Sequence, residues 1–307
     1  MQTITQLDQI ASFQGGVLSI GNFDGVHRGH QAMLRRLKTQ SLKQGVPSIA
    51  MTFDPAPVAL IAPHRVPPRL SSIARKAELI AKIGIDYLFV YPTNTNFLNQ
   101  TADQFFQKIV IEQFQAAGMV EGENFFFGKD RQGDIQRLKQ LTSKHHLLLQ
   151  VIDAVSAAGG MISSTRIRKL ISAGEIEEAV ECLGHPYRIT GTVIHGDQRG
   201  RGLGFPTANL AKIETLIPGE GVYAGTCLYE GNQYSAAINI GSNPTFSNRQ
   251  KKFEVHLIGF NEDLYGQELS VDLIARCRDI KKFVNRSDLQ EQLKVDIRLV
   301  QQITIEQ

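Results

Sequence analysis

Val17-Leu18-Ser19-Ile20-Gly21-Asn22-Phe23-Asp24-Gly25-Val26-His27-Arg28-Gly29-His30 is the stretch of this 307-residue chain on which the reading of the fold turns. Its first part is a short apolar run stopped by glycine, which reads as a buried strand. Met33, Leu34 and Leu37 then recur at helical spacing over 30–39. A strand that ends in a glycine-rich turn and feeds a helix puts backbone N–H groups and the positive helix end against an anion.

The pattern continues outward from there. Strand-like segments at 48–53, 85–91, 119–120 and 147–152 alternate with helical segments at 76–83 and 102–116. Alternation of this kind predicts a parallel sheet covered by helices, the doubly wound α/β arrangement. Ligands bind such sheets at the carboxyl ends of the strands, where residues 21–30 fall. Two short helices, 164–171 and 175–182, are broken at Ala173-Gly174 and close a first domain over 1–184. The texture then changes. Short β-rich segments at 187–194, 222–229, 233–240, 252–258 and 268–274 are separated by Gly, Pro and Asn turns. That spacing predicts a second domain, 185–307, built as a small antiparallel β-barrel or sandwich. A final helix over 287–300 places Leu289, Leu293, Ile297 and Val300 on one face, with Ser287 as its N-cap.

Composition narrows the function classes. Hydrophobic residues make up 42%, enough for two buried cores, and 33 basic against 30 acidic residues leave a net charge of only +3. A bias so weak gives no argument for nucleic acid, though a local basic pocket for phosphate is compatible with it. Cys182, Cys227 and Cys277 are far apart and form no C-x-x-C pattern, which reads as reduced thiols. Residues 1–16 show no basic segment followed by an apolar run, so no signal peptide is expected, and no apolar run reaches the length of a membrane span. The expected location is the cytoplasm, without a membrane partner. An oligomer is compatible with the sequence but not indicated by it.

Three clusters in the first domain carry chemistry. His27 and His30 flank Gly29 at the helix start, where imidazoles can donate to phosphate oxygens and stabilise charge during nucleotidyl transfer. Gly21, Gly25 and Gly29 keep the backbone close to a ligand, with Phe23 and Asp24 between them. The motif is not a Walker A loop, because no Gly-Lys-Ser/Thr follows. Ser164 and Arg166, within Ile162-Ser163-Ser164-Thr165-Arg166-Ile167-Arg168, supply a hydroxyl and a cation. They can cap the following helix or grip a triphosphate. Asn124 with Phe125, Phe126 and Phe127 would suit a flat ring that needs one polar contact and stacking.

In the second domain the key run is Gly204-Phe205-Pro206-Thr207-Ala208-Asn209. On an extended segment the oxygen-bearing side chains of Thr207 and Asn209 point to the same side. Two neutral oxygens suit a magnesium ion that keeps phosphates and waters as its other ligands. Upstream, Gly196-Asp197-Gln198-Arg199-Gly200-Arg201-Gly202 is a basic, glycine-rich loop able to close over phosphates, with Gly196, Arg199 and Gly204 as candidate contacts. Phe253, Val255 and Leu257 alternate with Glu254 and His256. By default Glu254 is a solvent-facing strand carboxylate; if its face lines a cleft it can take a proton from an attacking hydroxyl. His256 reads as structural.

Taken together these residues resemble the bacterial bifunctional riboflavin kinase/FMN adenylyltransferase family. The resemblance runs from about Gly16 to Val300 and adds Pro68-Arg69-Leu70, Leu183-Gly184-His185-Pro186-Tyr187, Asn239-Ile240-Gly241 and Asn243-Pro244-Thr245-Phe246. It implies a C-terminal β-barrel kinase that converts riboflavin and MgATP to FMN. It also implies an N-terminal adenylyltransferase that joins FMN and ATP to give FAD and pyrophosphate. On this resemblance His27 and His30 stabilise the transferring phosphates, and Asn124, Phe125 and Phe127 meet the flavin. Gly21, Phe23, Asp24, Gly25, Gly29, Ser164 and Arg166 meet ATP in the first domain. Thr207 and Asn209 hold Mg2+ and ATP, and Glu254 is the base on the ribityl hydroxyl. The sequence departs from the family where Ala56 replaces a frequent histidine, where Phe126 replaces a smaller or polar residue, and in the glycine content of 199–202. Two alternatives stay open: a kinase with an inactive adenylyltransferase half, and a non-catalytic flavin-binding regulator.

Overall fold

The computed structural model of the chain describes residues 1–157, 159–196, 204–242 and 251–305. Their contacts fall into two compact units, Met1–Pro67 with Ile73–Ser163, and Pro68–Ser72 with Ser164–Gln307. Among the described residues no helix is long and apolar enough to cross a membrane.

In the first unit β1 (Gln2–Ile4), β2 (Val17–Ile20), β3 (Ser48–Asp54), β4 (Tyr87–Pro92), β5 (Gly118–Gly122) and β6 (Leu148–Ile152) make one sheet, in the order β1-β4-β3-β2-β5-β6. Every pairing in it is parallel. Helices α1 (Arg28–Gln44), α2 (Pro57–Ile61), α3 (Ile73–Ile83), α4 (Thr95–Leu98), α5 (Ala102–Phe105) and α6 (Ile135–Lys144) lie between the strands in sequence. Two apolar cores form, one around Leu18, Ile49, Phe89 and Phe106, the other around Leu34, Leu37, Ile80 and Leu88. Successive strand residues feed opposite cores, which is why the strands read as continuous apolar runs instead of alternating. β3 and β4 lie on one side of β2, and β5 and β6 on the other. The strand order therefore reverses between β2 and β5, and a crevice is expected beyond their carboxyl ends.

The expected helix over 102–116 is only partly α-helical. Thr101 and Gln104 form a reciprocal capping box at the start of α5, and beyond Phe105 the chain widens into π-helical turns over Phe106–Gln113. Phe114 N–H reaches back to the Ile109 carbonyl and Ala116 N–H to that of Val110. The wider turn lets Phe105, Phe106, Ile109, Val110 and Phe114 all face the core. A short antiparallel pair, β7 (Ser156–Ala157) and β8 (Gly160–Met161), follows β6.

The second unit opens with α7 (Ser164–Ala173) and α8 (Ile176–Leu183). It continues as a closed antiparallel barrel of β9 (Tyr187–Ile194), β10 (Ala208–Ala211), β11 (Gly221–Tyr229), β12 (Asn232–Ser242), β13 (Lys251–Leu257) and β14 (Glu268–Arg278). The order is β10-β13-β12-β11-β14-β9. Inward residues such as Ile189, Tyr223, Ile238, Phe253, Val255 and Val271 fill the barrel interior. The helices α7 and α8 fold with this barrel: α8 packs on β9 and β14, and Arg276 N–H donates to Glu177 Oε1 at 2.9 Å. Compact packing thus divides at 163/164, whereas the sequence reading divides the chain at 184/185.

The terminal helix α9 (Arg286–Ile305) lies on β11, β12 and β14. Its N-cap is Asn285, whose Oδ1 accepts from Asp288 N–H at 2.9 Å, and not Ser287 as its sequence suggested. The Arg278 guanidinium grips Asp296 through two nitrogens, Nε to Oδ1 at 2.9 Å and Nη2 to Oδ2 at 2.6 Å. Ser235 and Thr304 hydroxyls meet at 2.7 Å near the other end of the helix. Two polar anchors thus fix the distance between α9 and the barrel wall.

Candidate active sites

In the first unit the strand–turn–helix motif forms as its residues dictate. His27 is the N-cap of α1, and its Nδ1 accepts from His30 N–H at 3.4 Å. An accepting Nδ1 leaves the ring proton on Nε2. The rings of His27 and His30 stack with centroids 3.6 Å apart and 16° between planes, and Phe23 stands edge-on to His30 at 5.4 Å. A Cβ on Gly29 would lie 3.2 Å from the His27 ring, close enough that the imidazole would have to give by a few tenths of an ångström. Phe23 and Val26 hold φ angles of 44° and 38°, a left-handed backbone unusual for such side chains. Both are fully buried, and that burial offsets the strain. Buried Lys76 ties the turn down by donating to the Asn22 carbonyl at 2.6 Å and to Thr52 Oγ1 at 3.1 Å.

Burial and neighbouring charge set the state of the His30 ring. Enclosure of the His30 ring, followed by the charges of His27 and Lys76, holds its pKa well below the usual value. His30 Nδ1 is buried with no hydrogen-bond partner among the described residues. An unsatisfied nitrogen inside the turn is where a phosphate oxygen or its water would be welcome. Sequence reasoning missed Glu121. The β2–β5 ladder carries only the pairs Val17↔Gly118 and Leu18↔Met119, and above it Glu121 Oε1 takes the Ile20 N–H at 2.7 Å. A side chain thus replaces the backbone where the two strands part.

Asn124 lies exposed in the turn that follows β5, on the same carboxyl edge of the sheet as Gly21. Phe127 is core: it packs on Phe105 at 5.6 Å, and Gly133 lies under its ring. Phe125 stacks on Phe127 at 5.4 Å and 16° and stays partly exposed, so Phe127 backs the aromatic platform that Phe125 presents. Phe126 turns outward, with the Arg131 guanidinium 4.2 Å above its ring. A third feature lies between α1 and β6, a groove of about 520 Å³ lined by Ala32, Arg36, Gln150, Ile152 and Asp153. Ser164 and Arg166 sit in the first turn of α7, in the second unit.

The second unit brings its predicted residues together around one wall. Asn209 on β10 faces Glu254 on β13, and Glu254 faces Asn239 on β12. The Glu254 carboxylate is held from two sides, by Asn239 Nδ2 at 3.1 Å and by Lys252 Nζ at 3.1 Å. All but Asn209 line a cavity of about 460 Å³. Its other end is apolar, formed by Ile280, Phe283 and the Leu289, Leu293 and Ile297 face of α9. A flat ring with a polar tail fits such a space, tail toward Glu254. A smaller cavity of about 360 Å³ lies on the other side of Thr207, between Pro206, Val255, Leu257 and the 260–265 turn. Thr207 borders both cavities. The 260–265 turn carried no motif, so sequence reasoning passed over it.

The Thr207/Asn209 pair fits a hard cation. Asn209 is 6% exposed, yet its Oδ1 has no hydrogen-bond partner among the described residues. Gly196 makes the room: a Cβ there would lie 2.5 Å from Asn209 Cγ. An orphaned neutral oxygen, with the Thr207 hydroxyl two residues earlier in the chain, suits an ion that keeps phosphates and waters as its other ligands. Gly204, at φ 88°, needs its glycine to turn the chain into Phe205 and Pro206. Arg199 with the rest of 197–203, and the 243–246 motif, lie outside the described residues.

Similarity to known proteins agrees with this division of labour. The family described as FAD synthetase matches residues 9–166, and the riboflavin kinase family matches residues 183–304. The chain is 34% identical over 284 residues to the bifunctional riboflavin kinase/FMN adenylyltransferase of Escherichia coli, covering 92% of this chain and 91% of that one. It is 36% identical over 283 residues to the protein of the same name from Listeria monocytogenes, covering 91% and 90%. A solved structure from Streptococcus pneumoniae, titled a macrolide-efflux protein, superposes with a TM-score of 0.88 at 31% identity over 98% of this chain and 99% of that one. With both halves matched in order and nearly end to end, the chain belongs to the bifunctional riboflavin kinase/FMN adenylyltransferase family.

Proposed function

We propose that this chain makes FMN from riboflavin in its barrel half and FAD from FMN in its parallel-sheet half, using one ATP for each step. The functional division is 1–184 and 185–307, even though α7 and α8 fold with the barrel. The observation that carries the reading is Thr207, which borders two cavities, one of them lined by Glu254 and the other by Pro206 and the 260–265 turn.

In the kinase step riboflavin lies with its ring system against α9 and its ribityl tail toward Glu254. Glu254 accepts the terminal hydroxyl proton as that oxygen bonds to the γ-phosphorus of ATP, and ADP leaves. Asn239 and Lys252 hold the carboxylate in place for the transfer. Thr207 and Asn209 would hold magnesium, which when bound neutralises phosphate charge. In the adenylylation step a phosphate oxygen of FMN bonds to the α-phosphorus of ATP, and pyrophosphate leaves. His27 and His30 donate to the phosphates as charge shifts onto the leaving group. Gly21, Phe23, Asp24, Gly25 and Gly29 shape the cradle of the triphosphate, and Asn124 with Phe125 meets the flavin. Positioning and charge neutralisation account for the rate, with no covalent enzyme intermediate. Three free thiols, Cys182, Cys227 and Cys277, are in keeping with a cytoplasmic place of work.

Incubation with riboflavin, ATP and magnesium, followed by flavin chromatography, tests the proposal. FMN should appear first and FAD second. His27→Ala should stop at FMN, whereas Thr207→Ala should make FAD only when FMN is supplied. Absence of both products from the parent chain rejects the reading. FMN without FAD, even from supplied FMN, leaves a kinase with a silent first half, the alternative that Ala56 and Phe126 motivate.

A further inference from the structure

We infer that His256 is a positioning residue of the kinase step: it holds the Phe205-Pro206-Thr207 wall between the two cavities and so sets where Thr207 meets the nucleotide. The inference rests on the kinase reading of those cavities.

The β10–β13 ladder is short. Ala208 pairs with Val255 and Asn209 with Glu254, and β10 begins at Ala208. Pro206 and Thr207 therefore run on past the ladder, alongside His256 and Leu257. Proline has no N–H with which to extend the pairing. Pro206, Val255 and Leu257 instead line the smaller cavity, because the strands have parted to make it. A wall released from its sheet needs another tether.

His256 supplies one. Its Nδ1 lies 2.7 Å from the Pro206 carbonyl oxygen. A carbonyl only accepts, so Nδ1 carries the proton and Nε2 is left as an acceptor. The same ring stands edge-on to Phe205, with centroids 5.8 Å apart and planes at 82°. One imidazole thus holds two consecutive residues of the wall. His256 also lies two residues from Glu254 on the same face of β13, and both line the larger cavity. Base and wall are consequently referenced to one strand. Burial lowers the pKa of the ring, in keeping with a neutral donor and not a charged one.

Two substitutions separate this role from plain packing. His256→Leu keeps an apolar body and removes the donor, whereas His256→Asn returns an N–H close to the position of Nδ1. With MgATP varied at saturating riboflavin, the leucine variant should show a KM for ATP raised about tenfold, the loss of one net hydrogen bond. Riboflavin affinity, read by quenching of flavin fluorescence, and FAD formation from supplied FMN should stay at parent levels. The asparagine variant should recover most of the loss. Parent-like kinetics in the leucine variant overturn the inference, and so does an asparagine variant no better than leucine. An equal loss of riboflavin affinity overturns it too, since that would be general loosening of the barrel. Should the leucine protein fail to fold, His256→Ala against His256→Asn gives the same comparison. An inactive parent chain would instead strike the kinase reading itself.

Discussion

Gly196→Ala is the sharpest probe of the cation cradle, because one added carbon acts on one side chain. The new Cβ would stand 2.5 Å from Asn209 Cγ and 2.8 Å from its Oδ1. Carbon atoms in packed interiors rest about 3.5–4.0 Å apart, so the carboxamide has to retreat by about 1 Å. Asn209 is almost wholly buried and has little room to turn. The backbone of Gly196 is outside the left-handed region, so alanine adopts its conformation without strain. Overpacking of this kind destabilises by about 1–3 kcal/mol, while a misplacement of about 1 Å at a reacting centre costs about a hundredfold in rate. The expected result is therefore a modest fall in melting temperature, a roughly hundredfold loss of FMN formation, and unchanged FAD formation from supplied FMN. A double-mutant cycle tests the route: if Gly196→Ala acts through Asn209, it should add almost nothing to Asn209→Ala. Full FMN formation by Gly196→Ala, or simple additivity in the cycle, would refute the cradle.

Other consequences are checked as directly. Glu254→Gln should lower FMN formation by about 10²–10⁴-fold while riboflavin still binds, as measured by stopped assay and fluorescence titration; an unchanged rate places the base elsewhere. His30 is held below its ordinary pKa, so arriving phosphates should raise that pKa and draw in a proton at mildly acidic pH. Calorimetry of ATP binding in two buffers of different ionisation enthalpy should register that proton in the parent chain and lose it in His30→Gln; identical heats in both buffers for the parent contradict it. Burial pushes the Glu121 carboxyl well above the usual carboxylate range, against the smaller opposing effect of the Ile20 N–H. A folded pKa raised above the unfolded one gives stability that is full below the unfolded value and lost as pH rises through the folded value. Glu121→Gln, which keeps the accepting oxygen, should thus gain melting temperature over the parent increasingly as pH rises above the ordinary carboxylate range. A pH-independent gap would mean the carboxyl is not buried as described.

Much of this was legible in the chain because local pattern and final structure agree. The run from Val17 to His30 shows strand, turn and helix by apolar spacing, glycine placement and a cap, all set within a few residues of one another. The alternation around Glu254 put its carboxylate on the face opposite the buried Phe253, Val255 and Leu257. What was missed involved partners distant in sequence or a choice between nearly equal local options. Asn285 and Ser287 are both good caps, and the local backbone chose the former. The 102–116 segment has helical spacing, and only the demand to bury Phe105, Phe106, Ile109, Val110 and Phe114 together widened it.

Sequence alone determined the two architectures, their order and the residue types able to handle phosphate, since these depend on periodicity and on the chemistry of single side chains. Tertiary structure decided which of those residues share a cavity, that Phe127 backs Phe125 from within the core, that α7 and α8 fold with the barrel, and that His256 bridges to Pro206. Each of these is set by contacts between residues far apart along the chain, and such contacts exist only once apolar burial has brought the strands and helices together.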